Sequence, residues 1–152
     1  MRNRAWNERG FGLAELLMVI ALVALLTTAA VPNLITYYQT ASLTAGTEQL
    51  AATLNRARHL AISRNTSVCF ERNGTTVRLR TVSCGGTIWT GPGTDSTGTI
   101  TIANSLQVGG ATSVTFTNVG GATATQTFSV TDPKTSRSRS VQVTSTGRVS
   151  IQ

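Results

Sequence analysis

Apolar and polar positions divide the chain into two regions of different texture. From residue 11 the sequence reads FGLAELLMVIALVALLTTAAV, ending at residue 31, with Glu15 as its only charged side chain. As a helix, those 21 residues span about 31 Å. That matches the ~30 Å hydrocarbon core of a bilayer. Beyond Pro32, Leu50, Leu54, Ala57 and Ala61 recur at helical spacing, and Leu43 and Leu60 widen the stripe. Glu48, Asn55, Arg56, His59 and Ser63 fall off it. This predicts an amphipathic helix over 32–65, ended by Arg64-Asn65-Thr66, with one face packed on the C-terminal domain.

From residue 66 the period changes. The stretch TSVCFERNGTTVRLRTV alternates around Asn73-Gly74, a strong hairpin signal. With those two residues as the loop, Phe70 faces Val77 and Val68 faces Leu79, all on the core face. Cys69, Glu71, Arg78 and Arg80 take the other face, with Glu71 and Arg78 diagonal neighbours placed to pair. Residues 85–98, GGTIWTGPGTDSTG, read as a long loop. Trp89 reads as its pin to the domain, with a binding role as the alternative. Strands are expected at 99–102, 113–117, 125–131, 138–144 and 148–151, with turns at Asp132-Pro133 and Thr146-Gly147. The predicted fold class is α+β: a long N-terminal helix, its first half transmembrane, packed on an antiparallel β-sheet or sandwich. The expected divisions are 1–10, 11–31, 32–65 and 66–152.

Composition sharpens this. Charged residues make up only 12%, and the formal net charge is +7. The C-terminal two-thirds is rich in Thr, Ser and Gly, which suits exposed strand faces. Cys69 and Cys84 are the two cysteines. An even count in an exported segment favours a disulfide, against the alternative of two buried thiols. The bond would close a loop of about 15 residues, worth roughly 3 kcal/mol in the chain-entropy model. In an extended strand Cys84 lies roughly 20 Å beyond the residue opposite Cys69. A bond therefore requires the chain to fold back over 81–86, where Gly85-Gly86 permits it.

Residues 1–10, MRNRAWNERG, hold three arginines and one glutamate. The positive-inside rule leaves that end in the cytoplasm. The apolar run exceeds the ~7–15 residues of a secretory signal peptide. Residues 27–30 offer that alternative only a weak cleavage site. A carboxylate in a membrane-spanning run is costly and asks for a functional reason. Gly10-Phe11, then Glu15, then Pro32, around a 21-residue apolar helix, resemble the type III leader of type IV pilins and type II secretion pseudopilins. The resemblance implies cleavage after Gly10 by a membrane aspartyl prepilin peptidase and methylation of Phe11. Glu15 would then neutralise the N-terminal amine of a neighbouring subunit and set register, a well-attested use of a buried ion pair. Pro32 would loosen the helix. The helix end Ala57-Arg58-x-x-Ala61-Ile62-x-Arg64, with the closing Gly147-Arg148-Val149, resembles the GspH/FimT branch of minor pseudopilins. Implied are a bacterial inner-membrane location, a periplasmic C-terminal domain, and other pilins or pseudopilins as partners in a filament.

No catalytic constellation is legible. His59 is the only histidine and has no ligand or nucleophile near it in sequence, so no metal or other cofactor is expected. The reading is a structural subunit rather than an enzyme. Lys134, Arg137, Arg139 and Arg148 concentrate positive charge near the C-terminus. Arg137 and Arg139 alternate with serines on one strand face. Two readings are open, a solvated basic strand or a DNA-binding patch. Some FimT-branch members bind DNA through a C-terminal Gly-Arg-x-Arg. Gly147 and Arg148 match that motif, but Ser150 stands where the second arginine would be. DNA binding in natural transformation is the alternative function.

Overall fold

The computed structural model describes residues 12–152. One helix, α1 (Leu13–Ser63), carries both the apolar run and the amphipathic stripe, and it continues through Pro32. Proline offers no N–H to the carbonyl one turn back, so the helix is one hydrogen bond short there. The threonines of α1 satisfy their own hydroxyls. Thr27 and Thr28 donate to the carbonyls of Ala24 and Leu25, and Thr47 and Thr53 to those of Leu43 and Gln49. This keeps polar side chains tolerable in an apolar helix.

The helix ends as the sequence predicts, by a Schellman cap. Asn65 takes the left-handed conformation at φ 48°, its N–H donates to Ile62 O, and Thr66 N–H donates to Ala61 O. The chain then turns directly into the β-domain.

Eight strands make up that domain: β1 (Val68–Asn73), β2 (Thr76–Thr81), β3 (Thr99–Thr101), β4 (Gln107–Gly110), β5 (Ser113–Phe116), β6 (Gln126–Thr131), β7 (Ser138–Val143) and β8 (Val149–Ile151). They form two four-stranded antiparallel sheets, ordered β3-β2-β1-β5 and β4-β6-β7-β8. Strand β4 has no counterpart in the sequence reading. Its Gly109-Gly110 pair looks like loop, yet both glycines are demanded by close strand approach. A side chain at Gly109 would press on Ser129 Oγ, and Gly110 has φ 80°.

The β1–β2 hairpin corrects the predicted register. Asn73 pairs with Thr76, so the two-residue loop is Gly74-Thr75, not Asn73-Gly74. Gly74 holds φ 60° at the first loop position, where type II′ turns place glycine. Phe70 therefore faces Leu79 and Val68 faces Thr81. The predicted Glu71–Arg78 diagonal pair also changes. Those two are directly opposite, and Glu71 instead bonds the diagonal Arg80 at 2.9 Å.

By internal packing the chain divides after Tyr38, and the second unit is Gln39–Gln152. Its core joins the helix stripe to the inner faces of both sheets. Leu50, Leu54, Ala57 and Ala61 are fully buried with Val68, Phe70, Val77, Leu79, Phe128, Val130, Val141 and Val143. Phe70 meets Phe128 edge to face at 5.1 Å, linking one sheet to the other. Arg72 of β1 ties them again at the rim, donating to the carbonyls of Val108, Gly110 and Ala111.

Candidate functional site

In the first unit every described side chain from 12 to 38 is exposed. Leu13 is 78% exposed, Leu26 71% and Leu34 67%. An apolar surface of this extent requires a lipid or protein partner. By length and composition the helix can cross a membrane. Glu15 lies in the first turn of α1, where the helix dipole favours an anion. It is the only formally charged side chain between residues 12 and 47. Gly10 and Phe11, the predicted cleavage and methylation residues, lie outside the described residues.

In the second unit Cys69 and Cys84 are joined as a disulfide with Cα atoms 5.0 Å apart. The chain folds back where the bond needs it. Thr81 N–H donates to Thr87 O, Gly86 N–H to Ser83 O, and Trp89 N–H to Leu79 O. The turn so formed lies over the outer face of the first sheet. Arg80 holds it there by donating to Gly86 O at 3.0 Å while also pairing with Glu71. Trp89 is buried in the core and covers Gly91, so it pins the long loop. Asp95 organises the loop's end. Thr99 N–H and the Thr97 hydroxyl donate to its carboxylate, and with the charge of Arg78 they hold its pKa below the ordinary 3.8.

The four predicted C-terminal cations do not form one patch. Arg137 donates to Thr40 Oγ1 and Arg139 to Thr44 Oγ1, each at 3.3 Å, so both lie along α1 near Gln39. Lys134 sits in the same β6–β7 turn, where its N–H donates to Asp132. That bond first, and the Thr135 hydroxyl next, hold the Asp132 pKa below its ordinary value. Arg148 is tied instead to Thr144 at the far end of β7. The strand separates it from Arg137 by roughly 20 Å. The physical reason is topological: the basic residues flank both ends of one strand.

Sequence reasoning missed what the helix-end motif does. Arg58 donates to Gly120 O at 2.9 Å, and Gly147, at φ 80°, packs against that same carbonyl. Arg58 and Gly147 therefore meet over one loop. Alternation and helical periodicity carry no signal for such a long-range junction. His59 is exposed, and no group of metal-ligating residues occurs among the described residues.

Residues 46–147 match the family model described as type II transport protein GspH. The chain belongs to the GspH family. Its fold agrees with that of solved minor pilins and pseudopilins. The type IV minor pilin FimU of Pseudomonas aeruginosa (strain PAO1) superposes with a TM-score of 0.59 at 21% identity, over 76% of this chain and 92% of that one. A second crystal form of FimU gives 0.55 at the same identity. The minor pseudopilin EpsH from the type 2 secretion system of Vibrio cholerae gives 0.57 at 12% identity, over 73% and 96% of the two chains. No curated protein matches in sequence. The GspH match covers both partners of the Arg58–Gly147 junction and stops short of the apolar run. The apolar helix is thus an independent observation that agrees with the family.

Proposed function

We propose that this chain is a minor subunit that initiates or caps a type IV pilus or type II secretion pseudopilus. The observation that carries the reading is helix α1, exposed and apolar as far as Tyr38 and packed on a β-domain from Gln39 onward. One end of such a helix suits a bilayer first and a bundle of like helices afterwards. Cleavage after Gly10 by a prepilin peptidase would place a cationic amine on Phe11, one turn from Glu15. In a bundle, Glu15 of one subunit would neutralise the amine of the next, which offsets the cost of burying each charge and sets axial register. The basic residues before Phe11 would hold that end in the cytoplasm and leave the β-domain in the periplasm.

Glu15 tests the reading. Glu15→Leu removes only a membrane penalty, so the full chain should remain in the membrane fraction. It should fall out of filaments co-assembled with other pilins, as read by cross-linking. Equal incorporation of Glu15→Leu and the parent would contradict the pairing.

A further inference from the structure

We infer that Lys134, Arg137 and Arg139 form a cationic foot that rests on an anionic bilayer surface beside the chain's own membrane anchor. The inference rests on the reading that the apolar part of α1 is inserted in a membrane.

The foot is built by register matching between a strand and a helix. Arg137 and Arg139 are two residues apart along the start of β7, about 6.6 Å. Their partners Thr40 and Thr44 are four residues apart on α1, a rise of about 6 Å. Each guanidinium can therefore make its own bond to the helix without either element shifting. One bond to a hydroxyl uses one of five donors. Both side chains are exposed, and so is Lys134 in the adjoining turn. Asp132 is the acid of that turn, and its carboxylate is occupied by Lys134 N–H and the Thr135 hydroxyl. Glu48 lies one turn beyond Thr44 and makes no ion pair among the described residues. Three cations against the two anions Asp132 and Glu48 still leave a net positive end.

That end is where the chain enters the second unit. Thr40 is nine residues after Val31, the last residue of the apolar run. Nine residues span at most about 32 Å even when fully extended. Chain connectivity thus limits how far this foot can stray from the surface that holds the anchor, and contact with that surface brings it inside the Debye length. Arg148 lies at the other end of β7 and has no such tether. A surface of anionic headgroups attracts nearby Lys and Arg by about five-fold in occupancy each, within a Debye length. Duplex DNA would be attracted by the same charges, but nothing in the chain holds DNA there.

The test uses the full chain in vesicles, with a fluorophore on Ser138→Cys, exposed between the two arginines, and quencher-labelled headgroups. Vesicles are phosphatidylcholine alone or phosphatidylcholine mixed with phosphatidylglycerol. Flotation with neutral vesicles reports the anchor separately, so failure to float would sink the membrane reading itself. Given flotation, quenching should rise with phosphatidylglycerol and fall back in roughly 1 M salt, where the Debye length is about 3 Å. Replacing Lys134, Arg137 and Arg139 by Gln should remove the rise, a loss of occupancy on the order of a hundred-fold. Arg148→Gln should leave it intact. Quenching indifferent to phosphatidylglycerol, or unchanged in the triple variant, would overturn the inference. So would binding of duplex DNA that needs the same three residues while the lipid response is absent.

Discussion

Val82 holds φ at 76° although its side chain branches at Cβ, and that side chain is 69% exposed. Such a backbone costs an L-residue about 1–2 kcal/mol. Asparagine tolerates the region better. Val82→Asn should therefore raise the urea midpoint of the second unit, by about 1 kcal/mol in stability. An unchanged midpoint would show that the site carries no strain. Gly147 is the opposite case. It combines φ 80° with direct packing on Gly120 O, so Gly147→Ala should cost more than about 2 kcal/mol. Asp95 adds a pH dependence. Its carboxylate is stabilised in the folded state, so its pKa lies below the ordinary 3.8. The stability it contributes is present above that ordinary value and is lost as pH falls through the folded value. Asp95→Asn should melt earlier than the parent at neutral pH, with the gap closing in strong acid. A gap that persists there would mean the side chain acts by packing alone.

At the scale of elements, the hairpin shows how far alternation reaches. The observed register differs from the expected one by two residues, and a strand's side-chain period is also two. Val68, Phe70, Val77 and Leu79 therefore stay on the core face while their partners change. What sets the loop at Gly74-Thr75 is not local: Gly74 O accepts from Val108 N–H, on a strand whose Gly-rich sequence hides it. The helix stripe was legible for a similar reason. Leu50, Leu54, Ala57 and Ala61 meet one core, and periodicity finds one-faced burial. Leu54→Ala should cost about 2–5 kcal/mol by denaturant titration. The cysteine bond depended on a fold-back that only Gly85-Gly86 hinted at, and a side chain at Gly86 would run into Thr81 O. Protein made in an oxidising compartment should yield no reactive thiol. Cys84→Ser should lose roughly 3 kcal/mol.

For the whole molecule, the contrast between an apolar run and a Thr/Ser/Gly-rich remainder announced an exposed apolar helix and a β-domain, because composition follows the surface each part presents. The division of the basic residues between two ends of β7 was not announced. It follows from strand direction and from which helix threonines stand beside Arg137 and Arg139. The central claim is that this GspH-family chain is processed at Gly10 and then assembled through its exposed helix. N-terminal peptide mass spectrometry of the filament fraction from the native host tests it most directly. The account predicts a chain that begins at N-methylated Phe11 and is recovered together with other pilins. A chain that keeps its first ten residues in that fraction, or one that begins after Ala30, would contradict it.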